Sequence, residues 1–436
     1  MIGKDSFMHD FSYVGKSFYC ENVSLEEIAK KFGTPTYVYS YKTLTDHYHK
    51  LDKAFNYINH TICYSIKSNS NIAICKLLAD QGCGADVVSG GELYRAIKAG
   101  IKPDKIVYAG VGKTQDEIKF ALLSNILLFN SESQAELELI NRIAGELNKR
   151  PKIVLRINPD VDAKTHAYIT TGKKENKFGI PLSEAFEIYK EASRYKNLEF
   201  RGIHTHIGSQ ITSVQPYVEA IKKVVDFIRK LKCNEIKIDY INVGGGLGIT
   251  YDKESPAKAS EFADSLKPFL KGLNCSLILE PGRFITGNAG VLLTKVLFVK
   301  KTIKKKFVIV DAAMNDLARP SLYNAYHNIL PLVKIDKEKA LEIVDIVGPV
   351  CESGDFFAKD RKFSFVESNN ILAILSAGAY GFSMSSNYNS RPRTAEVLVK
   401  NDKFSLIRKR ETYQDLIRNE KIPAMLAKLG QKNGKK

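Results

Sequence analysis

The sequence predicts an α/β protein in which a (β/α)8 TIM barrel is combined with a mostly antiparallel β domain. Between residues 62 and 280, eight short apolar runs alternate with helix-like segments. This alternation is typical of parallel sheets, and eight strands close a barrel. After residue 285, strand-like runs follow one another with few helical patterns between them. The chain of 436 residues also exceeds the roughly 250–300 residues that one core organises, which favours two domains.

The first predicted elements precede the barrel. Residues 11–14 and 17–20 alternate apolar and polar side chains on either side of a Gly-Lys pair, which predicts a hairpin. Ser24 and Glu27 have the spacing of a capping box, so a short helix is expected to begin there and to end at Gly33. A strand-like run of tyrosine and valine then leads into a second predicted helix.

The eight barrel strands are predicted from apolar runs at 62–66, 84–88, 106–109, 126–129, 153–157, 200–206, 239–243 and 277–280. Helical patterns separate them near 70–80, 90–99, 114–123, 131–148, 183–195, 216–232 and 257–271. An open, doubly wound sheet is the competing architecture. It is disfavoured because no G-x-G-x-x-G motif follows the first strand.

The second domain is predicted from strand-like runs at 288–300, 306–311, 341–347, 371–377, 394–399 and 402–408. The N-terminal hairpin could join this domain, which would make the domain discontinuous. We therefore expect a barrel at 35–285, a β domain formed by 1–34 and 286–420, and a basic, partly disordered tail at 421–436.

The bulk composition excludes several classes of protein. The net charge is +17, but the lysines are spread along the whole chain and no basic segment is interleaved with aromatic residues. This pattern favours a solvated surface over a nucleic-acid site. No apolar run reaches the roughly 18–20 residues of a membrane span, and no signal-peptide core is present. The seven cysteines form no C-x-x-C pair, so we expect a cytoplasmic protein without disulfides, membrane partners or nucleic-acid partners.

Four chemically distinctive segments lie where predicted strands end, at 64–69, 204–210, 244–248 and 280–283. A parallel barrel brings the carboxyl ends of its strands to one rim, and that rim carries the active site. An amine, an imidazole ring, a glycine-rich nest of backbone N–H groups and a carboxylate would then share one cavity. These groups together are suited to holding pyridoxal phosphate.

Lys67 supplies the amine of this set, at the end of the first barrel strand. A lysine there can form a Schiff base with an aldehyde cofactor, provided that its amine is partly desolvated and easily deprotonated. Considered alone, it would be a surface lysine in a lysine-rich chain, and its position beside the other segments is what favours catalysis. The glycines at 244–246 follow the seventh strand, where backbone N–H groups can approach a phosphate.

His204 and His206 are two residues apart, so both would face the same side of a strand. They could form a metal-binding pair, or a ring could stack on a planar cofactor. A metal site needs more ligands, and no other predicted strand end carries a histidine, so we expect no metal. Ser209 offers a hydroxyl suited to phosphate.

Glu280 ends the eighth predicted strand. A carboxylate there could keep a pyridine nitrogen protonated, which makes the cofactor ring an electron sink. Arg283 could bind a substrate carboxylate through two parallel hydrogen bonds. The structural alternative is an ion pair between these two residues.

These motifs resemble the alanine-racemase-like, fold type III pyridoxal phosphate decarboxylases. Within that group, the segments GPVCESGD at 348–355, RPSLY at 319–323 and AGAYG at 377–381 resemble the diaminopimelate decarboxylase family. The resemblance covers roughly residues 10–415. Ornithine decarboxylases share the barrel motifs, but they have an aspartate where this sequence has Glu352-Ser353.

The resemblance implies decarboxylation of meso-2,6-diaminopimelate to L-lysine and CO2, the last step of lysine biosynthesis. It implies that the cofactor, pyridoxal 5'-phosphate, is bound by Lys67, Asp86, His206, Ser209, Gly245, Gly246, Glu280, Gly282, Arg283 and Tyr380. It implies that the substrate is bound by Arg283, Arg319, Tyr323, Glu352 and Tyr380. Lys67 and Cys351 would be catalytic. Cys351 and Glu352 would come from the neighbouring chain of a homodimer with shared active sites.

The chemistry of the substrate agrees with these roles. Selecting one end of a nearly symmetric diamino diacid requires recognition of the other end, because a competitor without the distal carboxylate leaves buried charges unpaired. The thiol of Cys351 is suited to returning a proton to the decarboxylated carbon. Three alternatives stay open: a related decarboxylase acting on ornithine, lysine or carboxynorspermidine, a metal-dependent barrel hydrolase, and an inactive regulator. Such a regulator would usually lack the lysine or the cysteine.

Overall fold

The computed structural model describes residues 9–162, 177–334 and 341–427. The part of the predicted tail beyond residue 427 lies outside this range. The chain begins with a small antiparallel sheet, followed by a helix, a strand and a second helix. These are β1 (Phe11–Val14), β2 (Ser17–Cys20), β3 (Val23–Ser24), α1 (Leu25–Phe32), β4 (Thr36–Ser40) and α2 (Tyr41–Ala54).

The predicted hairpin is present, with Val14 opposite Ser17 at the turn between β1 and β2. The predicted capping box of α1 is wrong, because the side chain of Ser24 makes no capping hydrogen bond. The helix is held instead by its apolar face, since Leu25 and Ile28 are buried with residues of β1 and β2 in one cluster. Its C-cap residue has the left-handed backbone that favours glycine, as predicted.

Eight parallel strands form a closed barrel, as the sequence predicts. They are β5 (His60–Ser65), β6 (Gly84–Val87), β7 (Ile106–Tyr108), β8 (Leu128–Ser131), β9 (Lys152–Asn158), β11 (Glu199–His204), β12 (Tyr240–Asn242) and β13 (Ser276–Leu279). A short ninth strand, β10 (Ile180–Pro181), pairs with β9 and is not part of the closed barrel. The barrel closes because β13 pairs in parallel with β5, with Leu277 opposite His60. Most strand positions are fully buried, which explains the near-continuous apolar runs in the sequence.

Helices connect the barrel strands and cover them. They are α3 (Ile72–Asp80), α4 (Gly90–Lys98), α5 (Gln115–Leu123), α6 (Gln134–Glu146), α7 (Leu182–Lys190), α8 (Gln215–Lys232) and α9 (Ala259–Leu270). Several begin at a side chain that accepts a backbone N–H of the first turn, namely Asn71, Ser89, Thr114 and Ser133. Within the described residues, no helix combines the length and apolarity needed to cross a membrane.

A second sheet follows the barrel. Its strands are β14 (Gly290–Lys301), β15 (Lys306–Val310), β16 (Ile329–Pro331), β17 (Glu342–Val347), β18 (Phe356–Phe363), β19 (Ile371–Ile374), β20 (Ala395–Lys400) and β21 (Lys403–Arg408). The short helices of this region are α10 (Arg283–Thr286), α11 (Arg319–Tyr323), α12 (Tyr413–Ile417) and α13 (Ala424–Ala427). Most pairings are antiparallel, but β17 runs parallel to β15, so the sheet is mixed.

β4 belongs to this second sheet. It pairs with β14 on one side and, in parallel, with β20 on the other. The barrel range predicted from the sequence, 35–285, includes residues 36–40. Their strand pairing assigns them to the second sheet instead. The N-terminal sheet touches the second sheet through a bridge between Ser17 and Val333. The division of the chain into separate domains stays a prediction.

One apolar core links the barrel to the second sheet. The same buried cluster contains Leu78 and Ile153 from the barrel and Leu292 and Ile374 from the second sheet. At the carboxyl rim, the side chain of Asn69 after β5 donates to the backbone oxygen of Gly378 after β19 at 3.1 Å, so this rim contacts the second sheet region.

Candidate active site

A cavity of about 340 Å³ lies at the carboxyl rim of the barrel, within the size range of small-molecule sites. All four distinctive segments reach it. The predicted residues that line it are Lys67, His206, Ser209, Gly246, Glu280, Gly282, Arg283, Arg319, Tyr323 and Tyr380. The sequence did not single out the lining residues Ser65, Gln210, Tyr251, Glu254, Ala325 and Tyr326.

Lys67 lies in a short 3-10 turn, Ile66–Ser68, that follows β5 directly. Its amine donates a 2.9 Å hydrogen bond to Asp86, a fully buried residue of the neighbouring strand β6. Burial opposes the charged amine, but the carboxylate of Asp86 raises the pKa of Lys67 above its ordinary value. The side chain is 37% exposed into the cavity. The amine is therefore anchored and lines the cavity, but its raised pKa contradicts the expectation of an easily deprotonated lysine.

Glu280 is surrounded by polar side chains from three other strands. Its Oε1 atom accepts hydrogen bonds from Asn130 at 2.9 Å and Asn242 at 2.6 Å, and its Oε2 atom lies 3.3 Å from Nε2 of His204. Burial opposes ionisation, but the imidazole of His204, the amine of Lys67 and the hydrogen bonds keep the pKa of Glu280 below its ordinary value. Arg283 is therefore not among the partners of Glu280 in the described residues. The structural alternative of an ion pair between Glu280 and Arg283 is wrong.

His206 and His204 contact different parts of the site, although they are two residues apart. His206 lines the cavity, and its Nδ1 atom accepts a 3.2 Å hydrogen bond from the N–H of Gly245. Burial, and then the positive charge of Arg156, lowers the pKa of His206 well below its ordinary value. A neutral ring is therefore presented to the cavity. Within the described ranges, no group of three potential metal ligands is present.

The glycine-rich loop after β12 packs tightly against the loop after β13. A Cβ atom added at Gly245 would lie 2.0 Å from the backbone oxygen of Glu280. Gly246 has a φ of +100°, and its added Cβ would lie 2.3 Å from the backbone oxygen of Gly208. Only glycine permits this approach, which brings bare backbone to the cavity wall.

The lining of the cavity also includes two buried guanidinium groups. Arg283 donates to Ser209 at 3.2 Å and to the phenol oxygen of Tyr251 at 2.6 Å. Arg319 donates to the same phenol oxygen at 2.5 Å. The ring of Tyr380 lies 4.8 Å from the guanidinium carbon of Arg283. Tyr380 has a left-handed backbone, with a φ of +55°, which a non-glycine residue adopts only when its surroundings require it.

Cys351 and Glu352 lie outside this cavity. Both are exposed, and they belong to the loop between β17 and β18. Glu352 accepts a 2.7 Å hydrogen bond from Tyr388, and the N–H of Cys351 donates to Asn389 at 3.2 Å. Within one chain these two predicted residues are therefore separated from Lys67 and the arginines.

The neutral polar residues of the site were not predicted from the sequence. Asn130 follows two buried apolar residues of β8, and Asn242 follows the buried Ile241 of β12, and these positions were the available signal. Tyr251 lies in a loop after the glycine run and belongs to no motif that indicates its contact with both arginines.

The cavity fits pyridoxal phosphate. Its volume accommodates a small aromatic ligand, and its lining includes the amine of Lys67 and the carboxylate of Glu280, which is held ionised. The Nε atom of Arg283 and the Oδ1 atom of Asp86 are buried and have no hydrogen-bond partner among the described residues. Buried polar atoms without partners are costly, so a polar ligand is expected to satisfy at least some of them.

Comparisons with known proteins agree with this geometry. A family model described as "Pyridoxal-dependent decarboxylase, pyridoxal binding domain" matches residues 41–287. The chain is 52% identical over 406 residues to diaminopimelate decarboxylase of Aquifex aeolicus, covering 93% of this chain and 96% of that protein. The crystal structure of diaminopimelate decarboxylase from Helicobacter pylori complexed with L-lysine superposes with a TM-score of 0.87 at 45% identity, covering 91% and 98% of the two chains. The enzyme from M. jannaschii in co-complex with L-lysine gives 0.91 at 41% identity, covering 98% and 100%.

Proposed function

The chain belongs to the diaminopimelate decarboxylases, a family of pyridoxal-dependent decarboxylases, and we propose that it converts meso-2,6-diaminopimelate to L-lysine and CO2. One observation carries this proposal: a single cavity is lined by an anchored amine, that of Lys67, and by the buried guanidinium groups of Arg283 and Arg319. The amine suits an aldehyde cofactor, and the guanidinium groups suit a carboxylate. A decarboxylase of this kind completes lysine biosynthesis.

Pyridoxal phosphate, when bound, supplies an electron sink for the electron pair that the departing carboxylate leaves behind. Lys67 would hold the cofactor covalently through Nζ, and Asp86 would orient that amine through its 2.9 Å hydrogen bond. Glu280, kept ionised by its surroundings, would accept a hydrogen bond from the pyridine N–H. His206, whose pKa is lowered, would stack on the ring as a neutral imidazole.

The phosphate of the cofactor would lie against backbone from three loops. Ser209 would donate its hydroxyl, and Gly245, Gly246 and Gly282 would allow close approach of the main chain. The tight contact between the glycine loop and the backbone of Glu280 supports this placement. The loops after strands seven and eight of such a barrel frequently bind phosphate groups.

The far end of the substrate carries a carboxylate and an amine that do not react. Arg283 and Arg319 would bind that carboxylate, with Tyr323 and Tyr380 completing the wall of the cavity. The burial of both guanidinium groups supports this role, because a buried cation needs a partner. Ornithine lacks a distal carboxylate, which disfavours the alternative substrate.

The active site is proposed to form between two chains of a homodimer. Glu352 of the partner subunit would bind the distal amine of the substrate. Sγ of Cys351 of the partner subunit would deliver a proton to the carbon that has lost its carboxylate. The exposure of both residues, and their position outside the cavity of their own chain, supports this arrangement. A cavity that lacks its proton donor within one chain is incomplete without a second copy.

Location and further partners follow from the same chemistry. We propose that the chain acts in the cytoplasm, where Cys351 and the other cysteines would stay reduced. No nucleic-acid partner is proposed, because the positive charge is distributed over the chain and is not gathered beside aromatic residues.

An assay of CO2 release tests the proposed function. The purified, cofactor-loaded protein is incubated in parallel with meso-diaminopimelate, L-lysine, L-ornithine and L-arginine. Release is expected from meso-diaminopimelate, with L-lysine formed in equal amount, and not from the other three. Release from ornithine or lysine without release from diaminopimelate would contradict the proposal. A Lys67→Ala chain is the matched control, and it should release no CO2.

A further inference from the structure

Tyr251 occupies a position in the cavity that the roles described so far do not use. Its phenol oxygen accepts hydrogen bonds from Arg283 at 2.6 Å and from Arg319 at 2.5 Å. All three side chains are buried, with 8%, 7% and 7% of Tyr251, Arg283 and Arg319 exposed. One phenol oxygen atom thus joins two cations that come from the first residues of two short helices, α10 and α11.

Neither arginine forms an ion pair with a carboxylate within the described part of the chain. Over the same residues, the bond to Tyr251 is the one side-chain hydrogen bond of Arg319, and the Nε atom of Arg283 has no partner. Burial, with repulsion from the charge of Arg283, lowers the pKa of Arg319. Two like charges held close together without an anion are unfavourable, so the pair is arranged for a ligand that brings one.

The ring of Tyr251 is itself held in place. Its backbone N–H donates to the side chain of Glu254 at 3.0 Å. Its ring packs edge to face against His327, with 5.4 Å between the ring centroids. His327 is fully buried and bonded to the backbone oxygen of Leu375 at 2.8 Å, at the end of β19. The phenol oxygen therefore has a fixed position, set by the second sheet.

We propose that Tyr251 is a positioning residue that fixes Arg283 and Arg319 as one carboxylate-binding unit and so determines selectivity for ligands with a carboxylate at the far end. This inference rests on the proposed function, because it assigns the carboxylate to the unreacting end of the substrate. L-lysine, the product, keeps that carboxylate. Its analogue 1,5-diaminopentane is the same chain without it. The two ligands together isolate the contribution of the carboxylate.

Calorimetric binding of both ligands to the cofactor-loaded protein tests the proposal without turnover. In Tyr251→Phe, which removes one oxygen atom and keeps the ring, the affinity for L-lysine should fall at least about tenfold, because hydrogen bonds to charged groups are worth that much. The affinity for 1,5-diaminopentane should change by less than about twofold. Tyr57→Phe is the matched control, since its hydroxyl donates to the backbone of Ala263 outside the cavity. It should bind both ligands as the wild type does.

Kinetics and a double mutant separate positioning from general damage. For meso-diaminopimelate, Tyr251→Phe should raise KM with little change in kcat. In an Arg319→Ala background, Tyr251→Phe should lower the affinity for L-lysine by less than about twofold more, because the two residues act as a unit. If the phenylalanine variant does not fold, Tyr251→Leu also removes the oxygen atom and should give the same selective loss.

Three results would overturn the proposal. They are an unchanged affinity for L-lysine in Tyr251→Phe, an equal loss for both ligands, and a full additional loss in the Arg319→Ala background. The proposed function fails separately, if the wild-type protein releases no CO2 from meso-diaminopimelate. A selective loss of L-lysine binding in that case would leave the positioning role of Tyr251 standing.

Discussion

Two lysines of this barrel show how local partners decide what a single residue can do. The amine of Lys113 donates to two backbone oxygens and to Glu136, at 2.6 to 2.9 Å, so its three donors are used. The amine of Lys67 has one hydrogen bond within the described residues, to Asp86, and faces the cavity. Lys113 is therefore structural, whereas Lys67 keeps capacity for a ligand.

Borohydride reduction tests the role of Lys67. Reduction of the cofactor-loaded protein, followed by peptide mapping, should place the pyridoxyl label on Lys67 because its amine is both anchored and accessible. Lys113 is the internal control, since it is equally a lysine of the barrel but has no free donor. A label on Lys113, or on any lysine other than Lys67, would contradict the assignment.

At the residue scale, sequence reasoning was most successful where a residue type has a specific chemistry. Lys67, His206 and Arg283 were predicted from their position at strand ends, and the structure brings them to one cavity. Asn242 and Tyr251 were not predicted, because a neutral polar side chain carries no signal until its partners are known. Their partners lie on other strands or loops, so they depend on tertiary structure.

At the scale of elements, burial explains which strands could be predicted. The barrel strands are apolar on both faces, and each was located to within a few residues. The strand β18 was missed because it lies at the edge of the second sheet, and its four consecutive charged residues, 359–362, interrupt the apolar pattern of a strand. The pairing of β4 with β14 and β20 was also missed, since pairing between distant segments leaves no local pattern.

The glycine loop after β12 offers a test at this scale. Gly245→Ala places a Cβ atom 2.0 Å from the backbone oxygen of Glu280, so the loop must move. We expect a loss of roughly 1–3 kcal/mol in the free energy of unfolding of the cofactor-free protein. We also expect weaker binding of pyridoxal phosphate, measured by absorbance titration.

Gly112→Ala is the matched control for this loop, because an added Cβ there meets no atom within 4 Å. It should leave both the urea denaturation curve and the cofactor affinity near the wild-type values. If Gly245→Ala behaves like Gly112→Ala in both measurements, the close packing of the glycine loop does not shape the cofactor site.

At the scale of the whole molecule, the cavity and the predicted proton donor do not meet within one chain. Asp355 anchors the loop that carries Cys351 and Glu352, by accepting hydrogen bonds from the N–H groups of Val350 and Met314 at 2.7 Å. The loop is thus held on the surface of its own chain and presented outward. In the proposed homodimer, this loop of each chain would reach the cavity of the other chain.

Complementation between inactive chains measures this central claim directly. Lys67→Ala chains and Cys351→Ala chains should each fail to release CO2 from meso-diaminopimelate. In a mixed dimer with shared sites, one site carries both defects and the other carries neither. After random reassortment of equal amounts, about a quarter of all sites should be intact, and activity should recover to about that fraction of the wild-type value. Two affinity tags establish that the subunits have exchanged. Activity that stays at the level of the separate variants after confirmed exchange would contradict a site formed between two chains.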